Sequence, residues 1–189
     1  MAKKCLKKRP NVKLIIKGRF SVYSISNFKL LVDNQAEIDT IHQNCDHLIQ
    51  TTVTPKMDEE VNTFLDAINK KLTEQGFTIT ETSTGLIAKY SEAVINVDKH
   101  SKDLEECFFI NLNNYAEDQV SIVLDVSDIM MPKISNNLDG YSEIIEQMTD
   151  TLKYAKSLEK ACTSPKFIYK TQSNIIFHSA EEVVNYYFQ

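Results

Sequence analysis

The chain has 189 residues, of which 42% are hydrophobic and 25% charged, with a formal charge of -5. That balance belongs to a globular protein with a real core. Four glycines and four prolines argue against long low-complexity segments, and no apolar run approaches the length of a membrane span.

The N-terminus is basic but lacks the apolar stretch of a secretory signal, so an intracellular, cytoplasmic protein is expected. Lys3, Lys4, Lys7, Lys8 and Arg9 all precede the first acid, Asp33. A flexible basic arm over 1–10 therefore leads an acidic body over 11–189. The arm is suited to nucleic acid or to an acidic protein surface, and equally to a solubilising tail. Beyond it, residues 12–16 predict a strand, and Gly18 breaks it. Phe20, Val22 and Ile25, then Phe28, Leu30 and Val32, alternate as extended structure would. Asn34 with Glu37 has the spacing of a capping box. Ile38, Ile41, Cys45, Leu48 and Ile49 then continue as a helical stripe, which the β-branched residues of 51–54 are expected to end.

Thr54 and Pro55 open the next helix, with Asp58, Glu59 and Glu60 near its positive end. Met57, Val61, Phe64, Leu65, Ile68 and Leu72 give it a buried face, and Gly76 stops it. From Phe77 the period changes to alternation. Phe77 and Ile79, 86–90, and Ala93, Ile95 and Val97 predict three strands, with a turn at Ser83, Thr84 and Gly85. Phe108, Ile110 and Leu112 predict a fourth strand, and Val120, Ile122, Leu124 and Val126 a fifth. Residues 113–119 read as a polar connection between them. Short connections favour an antiparallel meander with one wet face.

Residues 128–140 form the longest irregular stretch. Met130 and Met131 within it suit a contact for a partner, or a crossover tucked under the following helix. That helix, 141–162, has Tyr141, Ile144, Ile145, Met148, Leu152, Ala155 and Cys162 at helical spacing. Its acids lead and its lysines follow, as the helix dipole prefers. The meander is expected to cover its apolar stripe. After Pro165, 167–169 and 175–177 predict a hairpin. Ser179 and Glu182 form a second capping box ahead of Val183, Val184, Tyr186, Tyr187 and Phe188. This short helix is expected to dock on the body or to meet another chain.

The fold class is thus α+β: an antiparallel β-meander packed against a long helix, with two helices before the meander and a terminal hairpin plus short helix. Nothing forces a second domain, so 11–189 reads as one. Phosphate-binding glycine loops and the G-x-S-x-G elbow are absent. His42, Cys45, Asp46 and His47 are the nearest approach to a metal cluster, and the histidines read as solvated with Cys45 in the core. A Cys/His pair, Cys107 with His100 or His178, has both residue types but no supporting spacing. The four cysteines, Cys5, Cys45, Cys107 and Cys162, include no C-x-x-C and read as reduced thiols. No catalytic, cofactor or metal site is expected.

The order of elements resembles helix-grip proteins, which wrap a sheet round a long C-terminal helix and hold an apolar ligand. From Met57 onward it is also similar to small acidic secretion chaperones, which dimerise and bind extended client segments. These likenesses concern topology and bring no residues with them. Abundant Asn, Lys and Ile point to an AT-rich genome, such as that of a virus, a phage or a low-GC bacterium. The expected role is a non-enzymatic protein-binding module: an adaptor, inhibitor or chaperone-like accessory protein, with another protein or a second copy as partner. Its contact residues would be Met130, Met131, Tyr186, Tyr187 and Phe188. The alternatives are nucleic-acid association through the arm and carriage of a small apolar ligand.

Overall fold

A computed structural model describes residues 25–102, 104–113, 116–135 and 140–189. The basic arm and the strand expected over 12–16 lie outside them. The contacts divide the protein into two compact units. One holds Thr54–Asp125 and Pro165–Gln189; the other holds 25–53 and Val126–Ser164.

In the first unit, α2 (Thr54–Glu74) precedes seven strands: β1 (Thr78–Glu81), β2 (Gly85–Tyr90), β3 (Ala93–Lys102), β4 (Glu105–Leu112), β5 (Ala116–Leu124), β6 (Phe167–Thr171) and β7 (Ile176–Phe177). They lie in one sheet in sequence order, with every neighbouring pair antiparallel. The terminal hairpin adds to the meander through Val120 opposite Thr171 and Ile122 opposite Tyr169. The fifth strand begins at Ala116, inside the stretch expected to be a connection, and ends at Leu124.

Helix α2 forms for the expected reason. Met57, Val61, Phe64, Ile68 and Leu72 are buried along one face. At its end Gly76 takes φ +87°, while the Phe77 N–H donates to Leu72 O at 3.0 Å and the Gly76 N–H to Thr73 O at 2.9 Å. This is a Schellman closure, which satisfies carbonyls that the helix leaves open. Its buried face meets Val97, Phe108, Ile110, Val120, Ile122 and Tyr169 in one apolar cluster. Phe64 packs edge-on to Phe108 with ring centroids 4.9 Å apart, and 5.4 Å from Tyr169.

The short helix α4 (Ala180–Tyr187) docks on the same core through Ala180, Val183 and Val184. Its Ser179 cap is present, with the Glu182 carboxylate reaching one residue further back than a capping box requires. The Glu182 N–H donates to Ser179 Oγ at 3.2 Å, and Glu182 Oε2 accepts from the His178 N–H at 2.8 Å.

Two tyrosine hydroxyls are held by carboxylates. Tyr169 Oη donates to Glu60 Oε1 at 2.6 Å, and Tyr187 Oη to Asp118 Oδ2 at 2.8 Å. Burial, then the carboxylate partner, pushes both hydroxyls above their ordinary value of 10.0. The folded state therefore keeps them neutral where the unfolded chain ionises. Stability is complete below the unfolded value and falls as pH rises past 10.0. An alkaline titration of urea midpoints is expected to show this loss, and Tyr169→Phe to flatten its slope.

The second unit pairs α1 (Ile25–Leu48) with α3 (Tyr141–Thr163). Three expectations change here. First, 28–32 is helical, not extended. Leu31 is 3% exposed, whereas Phe28, Leu30 and Val32 remain in water. The alternating pattern picks out the residues that stay outside. Asn34 consequently lies within the helix and is not its cap.

Second, 51–54 does not end the helical run. A π-helical turn, Ile49–Val53, carries it to α2. Pro55 cannot donate to the preceding turn and its ring crowds that turn's carbonyl, so a wider turn relieves both problems.

Third, α3 buries its stripe against α1. Leu31, Ile38 and Met148 form its apolar cluster, with Ile144, Ile145 and Leu152 around them. The long helix that the sheet packs against is α2.

Candidate functional site

Because side chains alternate along a strand, the sheet has a second set of residues facing away from α2. Asp98, His100 and Lys102 come from β3; Glu105, Cys107, Phe109 and Asn111 from β4; Glu117 and Gln119 from β5. They line an open depression of about 560 Å³. The register sets Asp98 opposite Phe109, His100 opposite Cys107 and Lys102 opposite Glu105. Charges of both signs therefore share the surface.

The register thus brings His100 beside Cys107, a juxtaposition that the spacing gives no reason to expect. Their chemistry does not follow. The Cys107 sulfur lies 3.5 Å from Ser121 Oγ, and the His100 ring stands edge-on to Phe109 at 5.1 Å. Burial pushes the Cys107 thiol above its ordinary value, and the Ser121 hydrogen bond only opposes this. A thiol held protonated is a poor nucleophile. Gln119 Nε2 donates to Ser121 Oγ at 3.1 Å, which fixes the floor of the depression. His178, the other candidate, stands before α4 with its backbone N–H on Glu182.

His42, Cys45, Asp46 and His47 do not converge. Cys45 is buried in α1, while Asp46 and His47 are exposed. Among the described residues, no three His, Cys, Asp or Glu side chains gather as metal ligands.

The contact residues expected from the sequence fall in different units. Met130 and Met131 belong to the helical unit and stand in water, at 90% and 64% exposure. At those exposures neither is tucked under the following helix. Tyr186 to Phe188 belong to the sheet unit. Tyr186 is exposed, Tyr187 is half-buried, and Phe188 is buried in the core. Gln75 Nε2 also donates to the Phe188 carbonyl at 3.2 Å.

Sequence reasoning misses the exposed apolar face of α1. Ile25, Phe28 and Val32 follow helical spacing in a stripe that flanks Leu31 and Ile38 and stays exposed. The signal is present as a second apolar stripe, but the alternation around it gives it the look of a strand. Ile134 adds a further exposed apolar side chain to the unit. The Ser135 N–H, donating to Gln147 Oε1 at 3.2 Å, ties the Met130 segment to α3.

No described helix is long and apolar enough to cross a membrane. No protein family, curated protein or solved structure matches the chain.

Proposed function

We propose that the protein is a non-enzymatic protein-binding module, an adaptor, inhibitor or chaperone-like accessory protein acting in the cytoplasm. One observation carries this reading: the helical unit leaves Ile25, Phe28, Val32, Met130, Met131 and Ile134 largely in water. Single apolar side chains on a surface are ordinary, whereas several in one small unit mark a contact. Ile25, Phe28 and Val32 have the spacing by which a helix lays anchors into an apolar groove. Unbranched methionines adapt to irregular partners. The partner that fits is a protein with a hydrophobic groove.

The test compares the natural chain with two double variants, Phe28→Asp with Val32→Asp and Met130→Asp with Met131→Asp. All four side chains are exposed, so unfolding free energies should change by no more than about 0.5 kcal/mol per substitution. Affinity capture from cells of the source organism should retrieve a stoichiometric protein with the natural chain. At least one double variant should lose it about tenfold, a change of roughly 1.4 kcal/mol. Capture of nothing by the natural chain, or equal capture by both variants, would end this reading.

A further inference from the structure

Cys45 and Cys162 sit near the C-terminal ends of α1 and α3. Both are free thiols, 0% and 1% exposed, and they are near enough to shift each other's ionisation. The helices explain why they meet. The buried residues Leu31, Ile38, Ile41 and Cys45 follow one another at the same intervals as Met148, Ala155, Leu158 and Cys162. Leu31 and Ile38 cluster with Met148 at one end of the pair, and Asn44 reaches Glu159 towards the other, beside the two thiols. The helices therefore run in the same direction, and matching stripe positions share a layer. Polar contacts beside the seam agree. Asn44 Nδ2 donates to Glu159 Oε1 at 3.0 Å, and Lys156 Nζ lies 2.7 Å from Glu37 Oε1.

We infer that Cys45 and Cys162 are a modification site: a dithiol that closes to a disulfide under a peroxide or a small disulfide oxidant and locks α1 to α3. Oxidation can begin at either sulfur and balances in the same way; Cys162 serves as the example. With hydrogen peroxide, its thiolate attacks one oxygen, the O–O bond breaks, and hydroxide leaves to become water with the proton Cys162 has lost. The Cys45 sulfur then attacks the Cys162 sulfenic acid. The S–S bond forms, the S–O bond breaks, and a second water departs with the Cys45 proton. The two sulfurs give up two electrons and the peroxide accepts them. The Glu159 carboxylate disfavours thiolate on either sulfur, and neither is open to solvent. Closure therefore follows opening of the last helical turns, where oxidant enters.

The experiment oxidises the folded full chain with hydrogen peroxide, and separately with diamide. Remaining thiols are then blocked with N-ethylmaleimide in denaturant, and intact mass and proteolytic peptides are read. The expected result is loss of two hydrogens, a linked peptide containing Cys45 and Cys162, and a rise in Tm that dithiothreitol reverses. A variant with Cys5→Ser and Cys107→Ser should behave alike. Cys107 is buried, so the natural chain is run in parallel and its site-mapped peptides answer the question even where that variant does not fold. Full alkylation of Cys45 and Cys162 after oxidation would overturn the inference. So would sulfinic acid at Cys162 with Cys45 still alkylated, or linkage of either residue to Cys5 or Cys107.

Discussion

Phe64→Ala is expected to destabilise the sheet unit by about 3–5 kcal/mol. Phe64 is fully buried at the centre of the face that α2 turns to the sheet. Its ring meets Phe108 from β4 and Tyr169 from β6, so one side chain joins α2 to two strands. Truncation removes the apolar transfer energy of the ring and leaves a void whose walls are rigid strands. Strands cannot close on a void as a loop could, which places the cost towards the upper part of that range. Domains are commonly stable by only about 5–15 kcal/mol, so this loss takes a large share of the total. Urea unfolding followed by far-ultraviolet circular dichroism measures it. A midpoint within error of the natural chain would mean that α2 does not bury Phe64 against the sheet.

Gly85→Ala is expected to cost at least about 3 kcal/mol, for a steric reason and not a cavity. Gly85 opens β2 opposite Asp98 on β3. A Cβ at this position would lie 1.9 Å from the Val97 carbonyl oxygen and 2.9 Å from its carbon. Both are backbone atoms, so no side chain can swing aside. Relief requires the first rungs of the β2–β3 ladder to separate, and Leu86 and Val97 of the core ride on those rungs. The Lys99 N–H, which donates to Thr84 O at 2.6 Å, should lose its protection from hydrogen exchange. Gly140→Ala is the control, because a Cβ there meets nothing within 4 Å. Equal effects from the two substitutions would show that the close approach at Gly85 is not what constrains the hairpin.

The proposed contact surface is partly legible in the sequence. Two methionines in a polar stretch stand out by composition alone, and both prove exposed. Tyr186, Tyr187 and Phe188 look equivalent as letters, yet the turn of α4 sends Phe188 into the core and leaves Tyr186 in water. Neither the outer stripe of α1 nor the approach of His100 to Cys107 can be read from the residues alone. Each depends on which of two periods, or which register, the chain adopts.

By itself the sequence determined what short-range physics controls. The stripe of α2, the stop at Gly76, the alternation of the strands, the turn before Gly85 and the cap at Ser179 are each set within a few residues. So the α+β class, the antiparallel meander, and the terminal hairpin with its short helix all follow. Tertiary structure decided which apolar surfaces meet. The stripe of α3 fits a sheet or another helix equally well as a pattern, and only the matching stripe on α1 selects the helix. Residues 28–32 offer both a period of two and a period of 3.6, and burial of Leu31 against Met148 chooses the second. The same choice brings Cys45 to Cys162. Local preferences amount to tenths of a kcal/mol per residue, while each buried large apolar side chain contributes about 1.5–3 kcal/mol. Where the two conflict, the distant partner wins.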